Sequence, residues 1–389
     1  MRLYAIEDEL RVRLGRELRD WTKAGLLTAE QDTALRADLQ TDLRRTGVML
    51  RLGLAAFTVV AGSAAIGLVM LVTDLTSEIA IAVTTAVLGA TALAAASWLV
   101  RRYRLYRYGV EEALAMGAVA LVGVSGAMVA AQVFGSNSSA APWAAGMTAV
   151  AITAIHVYRR FGFPHAAIDA LVAIALVPMA IESIGVDARR VVAALVFAGG
   201  YAYASTWRRQ ADDDITRSDA EVVRAAAAAG AYLALNVMLT REVLADTDHA
   251  WFRWASWVTT WLLPYVVGRT AVVDRDPRLL RVALGMTLAS LYTNKAYLGL
   301  SRQPWDPMLL GVVLAVVALA LRRWLAAGPD GERHGFTAKP LVERDSAALQ
   351  LASLAATAMQ PAHVRQVPES QDPPFSGGRS GGGGASSGF

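Results

Sequence analysis

The sequence predicts an all-α protein: a polytopic transmembrane helical bundle of about ten spans, preceded by a short helical hairpin. Three observations lead there. Hydrophobic residues make up 55% of the 389 residues and charged residues only 18%, where a soluble domain carries about a quarter. Mean hydropathy is +0.38. The charge deficit is concentrated in repeated apolar blocks of roughly 17–22 residues, the length a helix needs to cross a hydrocarbon core. Such blocks exclude a soluble enzyme, a disordered chain and a collagen-like fibre. They also speak against an outer-membrane barrel, whose strands are about 10 residues long and alternate in polarity.

The first element is a polar, helix-patterned segment over 1–47. Leu10, Leu14, Leu18 and Trp21 make one apolar stripe. Gly25 supplies a left-handed residue to end that helix. Thr28 and Gln31 match a capping box, in which hydroxyl and amide satisfy free N–H groups at the next helix start. Leu35, Leu39 and Leu43 give the second stripe. The two stripes are expected to face each other or the membrane surface.

Ten apolar blocks follow, at about 52–73, 79–100, 113–134, 140–158, 164–184, 190–207, 222–240, 251–268, 279–300 and 305–322, within a transmembrane domain over 48–325. The first begins only after a charged segment, which is not the layout of a cleavable signal peptide, so the first span is expected to serve as the insertion signal. Arginines pile up in alternate connections, as at Arg101, Arg102, Arg104 and Arg107, at Arg159 and Arg160, at Arg208, Arg209 and Arg217, and at Arg269, Arg275 and Arg278. Ten spans put 19 basic residues on one side and five (Arg189, Arg190, Arg241, Arg253 and Arg302) on the other. The positive-inside rule makes the first side cytoplasmic, with both termini there. Residues 326–360 read as a juxtamembrane segment, with a short amphipathic helix through Leu341, Leu349, Leu351 and Leu354. Residues 361–389 are Gly/Ser-rich and cannot bury enough apolar area to offset their ordering entropy, so disorder is expected.

Net charge is +4, from 37 Lys+Arg against 33 Asp+Glu. The basic residues stand at block ends, where they fix orientation, so the lipid bilayer and not nucleic acid is the expected partner. Cysteine is absent, which excludes disulfides, thiolate metal sites and a cysteine nucleophile.

The run Leu18-Arg19-Asp20-Trp21-Thr22-Lys23-Ala24-Gly25-Leu26-Leu27-Thr28-Ala29-Glu30-Gln31, followed by a charged helix and many spans, resembles the bacterial multi-pass membrane proteins grouped as domain of unknown function 2157. The resemblance rests on a Trp, a Gly-Leu-Leu-Thr turn and a following Gln, and covers about 40 residues. It implies a bacterial inner-membrane location and supplies no activity and no catalytic residue.

Ionisable groups inside spans are costly and so are functional candidates. Lys295 lies in the ninth block beside Asn294, and Glu182 lies in the fifth; at about 1.5 Å rise per residue both fall toward the outer side. They are read as a possible ion pair or shared polar cavity, against snorkelling of Lys295 and a wet Glu182. Asp169 stands one turn from His165, open to a proton relay or an interfacial hydrogen bond. Asn236 in the seventh block is read as helix–helix glue. Trp251, Trp254, Trp257 and Trp261, spaced 3, 3 and 4, share one face of the eighth block. They are read as an aromatic belt continued as packing, or as a platform for a lipid, quinone or glycan. Pro178 and Pro264 should bend their spans, and Gly123, Ala127, Gly199, Gly200 and Ala204 allow close helix approach. Asp212-Asp213-Asp214 reads as a solvated loop, with Ser218 and Glu221 as the capping box of the seventh span. No phosphate loop, His-Glu-x-x-His or nucleophile elbow is present in the sequence, and no cofactor or metal is expected.

The expected function is therefore a non-enzymatic membrane scaffold, assembly or sensing protein, with hairpin and tail recruiting protein partners. A transporter or permease built around Lys295 and Glu182 is the alternative, followed by a lipid- or glycan-modifying enzyme.

Overall fold

The computed structural model describes residues 2–23, 25–73, 77–135, 140–181, 183–244, 247, 249–301, 303–328, 332–333 and 336–337. Glu182, Arg302, the expected amphipathic helix after 340 and the Gly/Ser-rich tail lie outside these residues.

The described chain is helical, apart from a two-residue antiparallel pairing of Glu332–Arg333 (β1) with Phe336–Thr337 (β2). Helices α1 (Ile6–Lys23) and α2 (Ala29–Asp38) form the hairpin. The turn between them is built as the sequence predicts: Gly25 has φ +71, the Gln31 amide N–H donates to Thr28 Oγ1 at 3.2 Å, and the Thr28 N–H donates to Gln31 Oε1 at 3.0 Å. The second stripe is corrected. Helix α2 ends before Leu43, because the chain leaves the helix to pair its backbone with the turn near Arg104: Arg44 N–H donates to Arg104 O and Tyr106 N–H to Arg44 O. Leu43 is thereby buried in the bundle, while α2 itself buries no residue.

Helices α3 (Val48–Thr73), α4 (Glu78–Tyr103), α5 (Val110–Phe134) and α6 (Ala140–Phe161) are each long and apolar enough to cross a bilayer, which makes this a membrane protein. Then come α7 (Pro164–Leu176) with a 3-10 turn at Val177–Ala180, α8 (Val186–Gln210), α9 (Asp214–Leu235), α10 (Val237–Leu244), α11 (Ala250–Val273), α12 (Pro277–Tyr297) and α13 (Asp306–Ala326). The ten apolar blocks lie mostly on these helices, the fifth and ninth running past the helix ends, and two of the blocks are broken. The fifth block breaks where Pro178 sits in the 3-10 turn. The seventh breaks at Asn236, which no proline or glycine announced. Pro264, by contrast, lies inside a helix that runs on through it.

The seventh block also starts earlier than its expected capping box. Asp213 is the N-cap of α9 and accepts from Thr216 N–H at 2.7 Å, one turn ahead of Ser218. The middle aspartate of the acidic triplet is thus a helix cap. Asp276 caps α12 in the same way, accepting from the N–H groups of Arg278 and Leu279 ahead of Pro277.

Two sets of turns gather at opposite ends of the bundle. At one end Leu3 N–H donates to Arg160 O, Arg13 to Asp214 O, Arg278 to Ser218 O, and Arg208 to Asp274 O. Here the hairpin and the arginine-rich turns meet. At the other end Trp143 Nε1 donates to Leu176 O and Arg189 to Met179 O.

Packing follows residue size. Gly123 and Gly126 of α5 face α6 so closely that a Cβ on Gly123 would sit 2.4 Å from Val150 Cγ2 and one on Gly126 2.9 Å from Ala149 Cβ. Gly146 meets Ala127 from the other side. Gly200 faces Leu171, whereas Gly199 has nothing within 4 Å. Without a hydrophobic drive between helices in lipid, such small-residue seams let dispersion hold them together. One core cluster joins α4, α5 and α6 to Tyr4, Val12 and Leu43 of the N-terminal segment. Another joins Tyr232 of α9 to α11 and α12. Helix α3 is apolar all round and buries none of its residues, a surface suited to lipid.

Candidate functional site

The most elaborate side-chain chemistry inside the bundle sits at the α9–α10 break. Asn236 leaves the helical conformation at φ −80, ψ 87 and is fully buried. Breaking the helix frees carbonyls that nothing in a hydrocarbon interior could hydrate. Each freed group near the break has a partner. Ser256 of α11 donates to Leu235 O at 2.5 Å, Arg190 of α8 donates to Ala234 O at 3.3 Å, and Thr240 donates to Leu233 O at 3.2 Å. Arg190 is itself fully buried and also donates to Thr240 Oγ1 at 2.8 Å. Its charge stands at the carbonyl end of α9, where the helix dipole favours a cation.

The Asn236 amide joins this break to α12. Its Nδ2 donates to Tyr232 OH at 2.9 Å and to Thr293 Oγ1 at 3.4 Å; its Oδ1 accepts from Tyr297 OH at 3.2 Å and from Leu239 N–H at 3.1 Å. Two donors and two lone pairs are all an amide side chain has. The network extends through Tyr232 OH to Ser290 Oγ at 2.9 Å, and Tyr297 OH lies 2.5 Å from Ser256 Oγ. With its capacity spent internally, Asn236 joins the α9–α10 break to α12. The break itself was not anticipated.

The other expected polar groups separate. Lys295 ends α12, half-exposed, with Nζ 2.5 Å from Asp306 Oδ1 and 5.2 Å from the Trp305 ring centre. Its partner is thus across the short connection to α13; Glu182 lies outside the described residues. Asn294 accepts from Trp257 Nε1 at 2.9 Å, so one member of the polar set and one of the aromatic set meet between α12 and α11. Trp251, Trp254 and Trp261 turn outward, with Trp254 edge-on to Trp257 at 6.0 Å. Asp169 is the charged residue on a shallow, otherwise apolar cleft of about 290 Å³ between α5, α6 and α7, floored by Met116, Val119 and Val150. His165 stacks on Phe163 at 5.3 Å.

A second set of buried ions, missed in the sequence, ties the hairpin to the bundle. Arg2 Nη2 lies 3.1 Å from Glu9 Oε2 and 3.6 Å from Asp219 Oδ2. Tyr158 OH donates to Asp219 Oδ2 at 3.3 Å. The Arg2 guanidinium lies against Gly162, φ +69, where a Cβ would come within 2.1 Å of it. Glu9 is 2% exposed and Asp219 3%. Burial pushes the Glu9 carboxyl up to about 7 against the pull of Arg2 and Arg107, and Asp219 and Asp213 add to the rise. Burial likewise raises Asp219. Further pairs close the same end: Arg51 with Glu112, Arg224 with Asp274, and Arg208 with Glu221 at 3.2 Å. The buried residues of α1 are Glu9 and Val12, one turn apart, and Leu18 of the leucine stripe.

No group of three or more His, Asp or Glu residues placed to hold a metal ion occurs among the described residues. No protein-family model matches this chain, and no curated protein matches it.

Proposed function

We propose that this chain is a bacterial inner-membrane protein of about ten crossings, with both termini cytoplasmic, acting as a scaffold or sensor and not as an enzyme. The observation that carries the reading is the way the hairpin is mounted. Arg2, set between the enclosed Glu9 of α1 and Asp219 of α9, and the Leu3–Arg160 backbone bond fasten the start of the hairpin to α6 and α9; the pairing of Arg44 fastens its end to the α4–α5 turn, while α2 buries no residue. The hairpin turns Trp21, Leu26 and Leu35 outward, Leu26 at 71% exposure. A rigidly mounted element with apolar groups left over is suited to holding a partner in register with the bundle. The excess of arginine in the turns at that end supports a cytoplasmic assignment. The resemblance of residues 18–31 to the domain of unknown function 2157 agrees with it.

The test places a photo-crosslinking residue at Leu26 or Leu35 in cells. Discrete adducts that vanish when Glu9 and Asp219 are both replaced by Arg, with the protein still in the membrane, are expected. Adducts that persist unchanged, or none at any hairpin position, would remove the reading. One observation favours transport instead: a broken helix with a buried arginine at the break resembles the discontinuous helices around which transporters build sites. The internal saturation of Asn236 weighs against it.

A further inference from the structure

Beside the hairpin, where α3 begins, a cleft of about 470 Å³ opens between α1 and the α4–α5 turn. Five arginines line it: Arg16, Arg19, Arg45, Arg51 and Arg107. No carboxylate does. Arg51 holds Glu112 with two of its nitrogens, and Arg107 lies over the Tyr106 ring at 5.6 Å. Arg19 and Arg45 are exposed and have no carboxylate partner among the described residues. Arg51 already has Glu112 as its anion, but Arg19 and Arg45 bring two uncompensated guanidinium charges to one cavity, an arrangement that an added anion would favour.

The backbone adds a second observation. Arg104, Arg107 and Gly109 all have positive φ, at 55, 50 and 107. Glycine is required at 109, because a Cβ there would lie 2.3 Å from Arg51 O. At 107 an arginine is held where a residue without a side chain would be relaxed, and its side chain lines the cleft. The third observation is the wall. The cleft includes Val48, the first residue of α3, and from it Met49, Leu50 and Leu52 continue with 78%, 56% and 60% exposure. A guanidinium-lined cavity thus runs directly into a bare apolar helix that is long enough to cross the membrane.

We infer that this cleft binds the headgroup of an anionic phospholipid, with the phosphate among Arg16, Arg19 and Arg45 and the acyl chains laid along α3. A guanidinium fork matches phosphate oxygens in pairs, and basic pockets beside crossing helices suit such headgroups. A soluble phosphate compound would use the arginines but would leave the α3 face without a role. The inference needs α3 in the bilayer and does not depend on the scaffold reading.

The full chain, purified in mild detergent, is titrated with phosphatidylglycerol, cardiolipin or phosphatidylcholine and the bound lipid counted by native mass spectrometry. Anionic lipid should be retained over phosphatidylcholine. The double variant Arg19→Gln/Arg45→Gln should bind it about 25-fold weaker, at roughly fivefold per arginine. Arg322→Gln/Arg323→Gln, at the exposed end of α13, removes the same charge and should bind as the parent does. Both variants alter exposed side chains, and unchanged melting in phosphatidylcholine confirms intact folding. Equal retention of phosphatidylcholine would overturn the inference. So would equal loss in the two double variants, which means diffuse surface charge. Displacement of lipid by millimolar inorganic phosphate would also overturn it, by making the cleft a site for a soluble anion.

Discussion

Raising the pH should loosen the hairpin, and Glu9 is the group that makes it do so. Glu9 is almost fully enclosed, and its carboxyl is pushed from an ordinary 4.5 to about 7 by burial. Undocked, α1 would hold the same carboxyl in water near 4.5. The docked state therefore prefers the neutral acid, and this contribution is complete below about 4.5 and lost as pH rises through about 7. A difference of that size corresponds to on the order of 3 kcal/mol. Asp219, also raised by burial, pushes in the same direction. Amide exchange of α1 in nanodiscs, corrected for intrinsic rates, should show protection falling by about two orders of magnitude between pH 5 and pH 8.5. Glu9→Gln fixes the neutral form and should keep most of the protection at pH 8.5, with the residual slope belonging to Asp219. Protection that stays flat or grows with pH in the parent would refute the argument, because it would mean that the Arg2 ion pair outweighs burial.

Asn236→Leu removes four hydrogen bonds at the α9–α10 break; at about 0.6 kcal/mol for each bond within a membrane protein, the loss is about 2 kcal/mol, read as a lower midpoint in denaturing-detergent titration. Gly123→Leu should destabilise by about 1–3 kcal/mol through overpacking against Val150, while Gly199→Leu, with open space around it, should leave the melting temperature unchanged. Lys295→Met breaks a half-exposed ion pair with Asp306 and should cost under about 1 kcal/mol, checked by the same titration. Since the chain has no cysteine, Arg44→Cys/Leu105→Cys should form a disulfide on mild oxidation, seen as a mobility shift on non-reducing gels, because the two residues pair across a backbone bridge.

What was legible in the sequence follows from how local each signal is. The helices were readable because unbroken apolar runs admit little else, and the Thr28–Gln31 cap because its two partners stand three residues apart. The end of α2 was not readable: Leu43 keeps helical spacing with Leu39, but the backbone of the next residue, Arg44, is claimed by a turn about 60 residues later. The break at Asn236 failed for the same reason. An asparagine within an apolar run reads as a point of adhesion; what permits it to interrupt the helix is a serine on α11, an arginine on α8 and a tyrosine on α12.

The arginines make the sharpest case, since the topology was drawn from them. Counting them by turn treats each as a charge facing water, yet Arg224 is buried against Asp274, Arg51 is paired with Glu112, and Arg190 serves carbonyls inside the bundle. An arginine neutralised by a carboxylate beside it exerts little pull toward one side of a membrane. The proposed sidedness survives this subtraction because Arg45, Arg101, Arg159, Arg209, Arg269 and Arg281 remain without carboxylate partners among the described residues, all in or within about a turn or two of the connections assigned to the cytoplasm. On the opposite side Arg190 is buried, Arg189 caps carbonyls and Arg241 pairs with Glu242. Internal pairing therefore draws on both ends of the bundle and leaves the imbalance that sets orientation in place. A fusion reporter after Phe134 should accordingly fall outside the cytosol, and cytosolic activity there would reverse the sidedness of every turn.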